Sequence, residues 1–221
     1  MLSENSPRSV IHLIGDSTVC VYPPDSPREG WGMKLAERCR PGVGILNHAI
    51  SGRSTKSFRE NGDWAKFLPQ IGKGDFVVID MGLNDGSPKE TRPQNHTDVG
   101  GEFEGNLARW IEEVRERGGI PLLTTNTVIW NADGRSEPDP LRESYNRAIR
   151  ETAERCRCEL VDLHAEAFRR LTAMTAAEAL AIYLPEIEDF CHLSPRGAKF
   201  YADIFVELCR RRKTALAPLF L

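Results

Sequence analysis

Ser17 stands directly after a short apolar run, in Ile14-Gly15-Asp16-Ser17-Thr18. A serine just past a strand end, with Gly15 allowing a tight turn, meets backbone N–H groups that lend positive character to an attacking oxygen. Asn84, in Met81-Gly82-Leu83-Asn84-Asp85-Gly86, offers an uncharged amide that donates hydrogen bonds without becoming a rival nucleophile, which suits a developing oxyanion. Gly52, in Ser51-Gly52-Arg53-Ser54, can bring its N–H up to a ligand oxygen with no Cβ in the way. In Asp189-Phe190-Cys191-His192 the spacing lets one compact turn bring a carboxylate and an imidazole together. The carboxylate can then hold one ring N–H and leave the other nitrogen to take a proton from a serine. Taken singly, each segment is equally good turn or helix-capping sequence; it is their joint placement that points to chemistry.

That placement depends on the elements that carry them. Val10–Ile14, Gly44–Ala49, Phe76–Asp80, Ile120–Thr124 and Glu159–Leu163 read as strands, several of them apolar on both faces as buried parallel strands are. Phe103, Leu107, Trp110, Ile111 and Val114 fall on one helical stripe, which predicts a helix over Gly101–Arg117 ended by Gly118-Gly119. Further helices are expected over Trp31–Arg40, Asp139–Arg157, Ala165–Ala173 and Pro195–Lys213, the last capped by Ser194 with Pro195 at its first position. Alternating strand and helix predicts an α/β three-layer sandwich around about five parallel strands, wound like a flavodoxin, as one domain over residues 1–221. In such a sheet ligands bind beyond the carboxyl ends of the strands, where Ser17, Gly52 and Asn84 are expected. The polar stretch Asp85–Gly100 is the longest loop, and a loop of that length is expected to border the site.

Composition narrows the classes. A chain of 221 residues corresponds to about one and a half typical domains, so one sizeable core is expected. With 40% apolar residues, 28% charged residues and a charge sum of 29 − 32 = −3, neither a disordered chain nor a strongly basic nucleic-acid binder fits. No apolar run approaches the ~18 residues of a membrane span, and the opening MLSENSPRSV lacks a secretory apolar stretch. A cytoplasmic protein without membrane partners is expected, or a secreted one if an upstream signal has been removed. The six cysteines match no zinc or haem spacing and read as reduced structural thiols; the five histidines contain no HxxxH, so no metal is expected. Phosphate-binding glycine motifs are absent as well, and no cofactor is expected.

Several other residues have two readings. Tyr22, Trp31 and Trp130 could stack on a sugar or pack in the core. Arg53 could hold a substrate carboxylate or pair with an aspartate. Cys191, adjacent to His192, is read as packing or lining a pocket rather than attacking, because neighbouring side chains usually point apart. Asp162 and His164 could be a second acid and base but are read as serving local hydrogen bonding, and Arg210-Arg211-Arg212-Lys213 is read as the solvated end of a helix rather than a patch for an anionic partner.

In order along the chain, IGDST, SGRS, GLND and DFCHLSPRGA resemble the blocks of the SGNH (GDSL-type) hydrolases. Gly30-Trp31-Gly32, Gly52-Arg53-Ser54 and His192-Leu193-Ser194-Pro195-Arg196-Gly197-Ala198 resemble in particular the rhamnogalacturonan acetylesterase branch. The resemblance implies Ser17 as nucleophile, with the N–H of Ser17, the N–H of Gly52 and the amide of Asn84 as oxyanion hole. It also implies His192 as base and Asp189 as its orienting partner. The implied activity is that of a metal-independent serine esterase removing short acyl groups, acetyl above all, from a carbohydrate through an acyl-serine intermediate. Trp31, Arg53, Leu83, Trp130 and Cys191 are the candidate substrate-binding residues. Leu83 stands where the branch usually has histidine, and Thr124–Trp130 departs from its usual Thr-Pro-x-x-Arg segment. The alternatives are a lysophospholipase or thioesterase on the same fold, or a carbohydrate-binding protein without catalysis.

Overall fold

The computed structural model describes residues 9–133 and 139–221; residues 1–8, within the opening segment considered above for targeting, lie outside the described residues. Five parallel strands form one sheet: β1 (Ser9–Gly15), β2 (Val43–Asn47), β3 (Phe76–Asp80), β4 (Ile120–Thr124) and β5 (Glu159–Val161), in the order β2-β1-β3-β4-β5. Strands alternate their side chains between two apolar layers. Ile11, Leu13, Phe76, Val78 and Leu122 face one layer, and Ile14, Val77, Ile79 and Leu123 face the other. The first layer is completed by α5 (Leu163–Thr172) and α7 (Pro195–Arg212), the second by α1 (Thr55–Glu60), α2 (Asp63–Phe67), α3 (Glu102–Glu116) and α4 (Pro140–Arg155). The expected three-layer α/β arrangement is therefore present, with the flavodoxin-type strand order. A short helix, α6 (Ala176–Leu180), precedes the Asp189 turn.

Three expected elements differ in extent. Trp31–Arg40 is two short 3-10 pieces, Trp31–Lys34 and Ala36–Arg38, closed by bonds between residues three apart such as Met33 N–H to the Gly30 carbonyl, and Gly30 and Gly32 lie too close to the Val19–Cys20 backbone for a Cβ. The second strand stops at Asn47, whose side-chain oxygen accepts the N–H of Ala49 and turns the chain. The fifth stops at Val161, since Asp162 caps α5 by accepting the N–H of Ala165. Helices α1, α2 and α6 were not expected; they are too short to show a periodic stripe.

The order reverses at β1: β2 lies on one side of it and β3 on the other, with Leu13 beside Asn47 and Gly15 beside Asp80. The loops leaving β1 and β3 thus diverge from neighbouring points and leave a crevice at the carboxyl edge. Among the described residues no helix is long and apolar enough to cross a membrane.

Below that edge, His12 on β1 bonds His48 at 3.0 Å and Asp75 at 3.2 Å, with Phe67 packed against both imidazoles. Burial, reinforced by His12, lowers the His48 pKa from 6.5 to about 4. The unfolded chain therefore binds more protons than the folded one between those values, so this group's contribution is present above pH 6.5 and lost as pH falls towards 4. Buried Asp80 and Asp85, raised to about 7 and about 6 by burial, act in the opposite direction, so the effect must be read as a difference. Thermal unfolding of wild type and His48→Gln should show the stability difference moving in the variant's favour as pH is lowered from 6.5 to 4; a constant difference would mean that His48 takes up its proton equally in the folded and unfolded states.

Candidate active site

The loop after β1 is held by the side chain preceding Ser17. Asp16 Oδ1 accepts the Thr18 N–H at 2.9 Å and its hydroxyl at 3.0 Å, and the Asp16 carbonyl accepts Val19 and Cys20 N–H groups to close the turn. Oδ2 of the same carboxylate accepts the Asn84 amide at 3.1 Å, joining this turn to the loop after β3. Asn84 Nδ2 also donates to the Arg53 carbonyl at 3.1 Å, so the loops after β1, β2 and β3 meet at one amide. Burial raises the Asp16 pKa, an effect its hydrogen bonds oppose.

The base-bearing segment is built by local chain reversal. Leu184 and Asp189 exchange backbone hydrogen bonds, and Glu188 between them adopts φ 53°, a left-handed conformation rare for a side chain with Cβ. Asp189 Oδ1 then accepts the Cys191 and His192 N–H groups at 3.2 and 3.0 Å, and Oδ2 receives His192 Nδ1 at 2.8 Å. Ser194 caps α7 through the Gly197 N–H, while Pro195 occupies the first turn. A Cβ on Gly197 would lie 2.1 Å from the Ile182 carbonyl, which explains the glycine two residues after the proline.

Ser17, Gly52, Leu83, Asn84, Cys191 and His192 all line one cleft of about 440 Å³ at the switch point of the sheet. His192 uses Nδ1 for Asp189 and keeps Nε2 for the cleft; among the described residues Ser17 Oγ makes no hydrogen bond to it. Neither the Ser17 nor the Gly52 backbone N–H is committed to a partner among the described residues. Although burial pushes the Asp189 pKa up, the His192 N–H, the Arg28 guanidinium and the imidazole outweigh it and hold the carboxyl at about 2. Burial, aided by the charges of Asp16 and Asp189, pushes the Cys191 thiol up to about 12, so this side chain lines the cleft as a neutral thiol. Chemically, the arrangement offers a hydroxyl, an oriented imidazole and free N–H donors around one small volume, which is what acyl transfer requires. Among the described residues no group of three His, Cys, Asp or Glu side chains is placed to hold a metal ion.

Three of the expected substrate contacts lie elsewhere. Trp31 is fully buried: its ring stacks on Phe205 and its N–H donates to Asp80 at 2.9 Å. Trp130 is 3% exposed, packed edge-on to Phe168, while its neighbour Ile129 lines the cleft, as expected when consecutive residues face opposite ways. Arg53 pairs with Asp63 at 2.7 Å and contributes only its carbonyl to the site, through Asn84. Tyr22 braces the turn rather than a sugar, donating its hydroxyl to the Ser17 carbonyl at 2.9 Å. Asp162 serves local bonding, pairing with Arg150 and capping α5, whereas the His164 ring stacks on Phe168 and, among the described residues, makes no hydrogen bond to Asp162. The loop Asp85–Gly100 does border the cleft, through Ser87, Pro88 and Arg92. Arg28, Arg92 and Arg142 also line it and carried no local sequence signal.

The Gly30-Trp31-Gly32 block is thereby given a structural meaning. A Cβ on Gly30 would lie 2.2 Å from the Cys20 carbonyl oxygen and one on Gly32 2.6 Å from that of Val19, both in the turn that carries Ser17. Gly30→Ala should cost about 1–3 kcal/mol in thermal or urea unfolding, because backbone rather than a flexible side chain must move. Gly105→Ala on α3, where a Cβ meets nothing within 4 Å, should be neutral or stabilising. Equal stabilities for the two variants would show that the turn is not packed against this block.

The family model of the GDSL-like lipase/acylhydrolases matches residues 13–200. Among curated relatives, the rhamnogalacturonan acetylesterase RhgT of Bacillus subtilis is 29% identical over 209 residues, covering 89% of this chain and 88% of RhgT. Among solved structures, the Bacillus subtilis protein YxiM superposes with a TM-score of 0.82 at 25% identity, over 95% of this chain but 58% of that longer one. An acetylxylan esterase of Geobacillus stearothermophilus shares the fold with a TM-score of 0.68 at 21% identity, over 92% of this chain and 95% of its own. The glycines, buried carboxylates and turn residues that build the cleft lie within the matched span, and the chain belongs to the GDSL-like lipase/acylhydrolase family.

Proposed function

We propose that this chain hydrolyses acetyl esters on the hydroxyl groups of an acidic carbohydrate through an acyl-Ser17 intermediate. The observation that carries the reading is the convergence, in one cleft, of Ser17, the free N–H groups of Ser17 and Gly52, Asn84, and a His192 whose Nδ1 is bound to Asp189. In this reading His192 Nε2 takes the Ser17 proton as Oγ bonds the ester carbonyl carbon. The carbonyl oxygen becomes an oxyanion received by the two backbone N–H groups and by Asn84, one of whose hydrogens shifts from Asp16 or the Arg53 carbonyl. Collapse breaks the bond to the sugar oxygen, which takes the proton from His192; water then repeats the sequence and releases acetate. Asp189 keeps the imidazole in the tautomer that leaves Nε2 unprotonated.

Size and charge of the cleft support the substrate class. Its apolar lining is confined to Leu83, Pro88, Ile129 and Cys191, enough for a methyl group, which disfavours the lysophospholipase alternative. Arg92 and Arg142 line it beside an Arg28 whose charge is taken up by Asp189, and the exposed Arg92 guanidinium makes no ion pair among the described residues. Such a lining suits a sugar backbone bearing carboxylates, like the substrate in the name of RhgT, better than a neutral xylan.

Ser17→Ala should abolish fluorophosphonate labelling and lower kcat by several orders of magnitude while leaving the unfolding temperature unchanged. Labelling that survives in that variant would remove Ser17 from the reaction. Along acetyl, butyryl and octanoyl esters kcat/KM should fall. A long apolar channel would instead add ~0.8 kcal/mol per methylene, about a fourfold gain each, and a monotonic rise would favour a lipase-like enzyme. Raising ionic strength should depress kcat/KM on acetylated uronide oligosaccharides and not on neutral acetyl-xylooligosaccharides; equal salt dependence would rule out charge recognition.

A further inference from the structure

Arg28 reaches the Asp189 carboxylate across the fold. Its Nε and Nη2 donate to Oδ2 at 2.9 and 2.6 Å, the same oxygen that His192 Nδ1 meets at 2.8 Å. Within the local turn two backbone N–H groups donate to Oδ1, and His192 Nδ1 lies 3.0 Å from Oδ1 as well as 2.8 Å from Oδ2. Apart from the imidazole itself, Oδ2 is held by a residue from the segment that leaves the Ser17 turn. That segment is itself joined to the base-bearing one, since the Glu29 N–H donates to the Leu193 carbonyl at 3.0 Å. Arg28 N–H donates to Ser26 Oγ, which fixes the direction in which the guanidinium leaves the chain.

We infer that Arg28 is a positioning residue for the reaction, holding Asp189 against the His192 ring and keeping that ring unprotonated at lower pH than the Asp189–His192 pair alone would allow. This rests on the reading of Ser17, His192 and Asp189 given above. Two physical effects follow from the geometry. Two donors of the guanidinium fork converging on Oδ2, with Oδ1 held by two backbone N–H groups, fix both carboxylate oxygens and so the orientation of the imidazole they hold. A cation shared by the same oxygen also weakens the pull of the carboxylate on a second positive charge, so the imidazolium is less favoured. The other groups facing the pair are Asp16 and the Cys191 thiol, with Arg142 beside Cys191 and the Tyr22 hydroxyl beside Arg28; of these, Asp16 carries the charge opposite to that of an imidazolium. Arg28 is the one among them bonded directly to the carboxylate.

The test is the pH dependence of kcat and kcat/KM on p-nitrophenyl acetate for wild type, Arg28→Gln and Arg28→Lys, with unfolding temperatures measured alongside. In Arg28→Gln the acid limb of kcat/KM should move up by about 0.5–1 pH unit, and kcat should fall about tenfold with KM within about twofold. Arg28→Lys keeps the charge without the fork: its acid limb should coincide with wild type while kcat recovers only in part. An unmoved limb in folded Arg28→Gln, or a rise in KM with kcat unchanged in either variant, overturns the inference. Should Arg28→Gln not fold, Arg28→Lys decides alone, since a wild-type kcat would show that the fork is dispensable. His192→Ala separates the two levels: if it retains turnover, the underlying reading fails, whereas an inactive His192→Ala with an unmoved Arg28→Gln limb removes only the role of Arg28.

Discussion

The carboxylate of Asp16, buried beneath Ser17 and bonded among the described residues to no arginine or lysine, is the constraint on which the site depends. One oxygen closes the turn through Thr18 and the other receives Asn84, so the loops after β1 and β3 cannot move independently. The arrangement is possible because Gly15 and Asp80 lie side by side in the sheet, which brings the two strand ends together. A buried carboxylate without a cationic partner is costly, and its hydrogen bonds offset only part of that cost. Replacing Asp16 by a residue of similar size that cannot accept at both oxygens would leave Asn84 and the Thr18 N–H without a common anchor.

Neighbouring acids show the same economy of placement. Asp80, raised to about 7 by burial and by Asp16, accepts the Trp31 N–H and thereby ties the Gly30-Trp31-Gly32 segment under the turn. Asp85 accepts the Thr55 N–H and the Thr55 and Thr97 hydroxyls, pinning the long loop after β3 to the first turn of α1. Acidic side chains that face away from solvent here do structural work for the rim of the cleft, while Asp189, held at about 2, remains the charged one beside the imidazole.

The cleft combines a rigid floor with a rim of separate loops. Its floor comes from strand ends and from backbone packed too closely for side chains, as at Gly30 and Gly197. Its rim comes from Arg28, from Ser87, Pro88 and Arg92, and from Arg142 on α4, whose guanidinium donates to the Leu83 carbonyl. The residue in the position of the branch's histidine thus contributes a leucine side chain to the cleft and a carbonyl to an arginine. Rim residues come from loops that the core does not dictate, which is why a shared fold leaves substrate preference open.

The sequence by itself determined the layers and the core of the site. Apolar runs such as Phe76–Asp80 and the stripe on Glu102–Glu116 are local patterns set by the period of the backbone, and they imply a parallel sheet with loops at its carboxyl edge. Ser17, Asn84, Asp189 and His192 could be singled out because their blocks stand together in an order that resembles a known family, while each spacing taken alone fits a turn equally well. Only the tertiary structure decided which aromatic rings face the cleft: Trp31 and Trp130 turn inward because Phe205 and Phe168 offer them apolar partners distant in sequence. It likewise decided that Arg53 pairs with Asp63 while Arg28 reaches Asp189. A guanidinium on a long stem can serve many partners, and its choice is settled by which segments the sheet order brings together, a non-local property absent from any window of sequence.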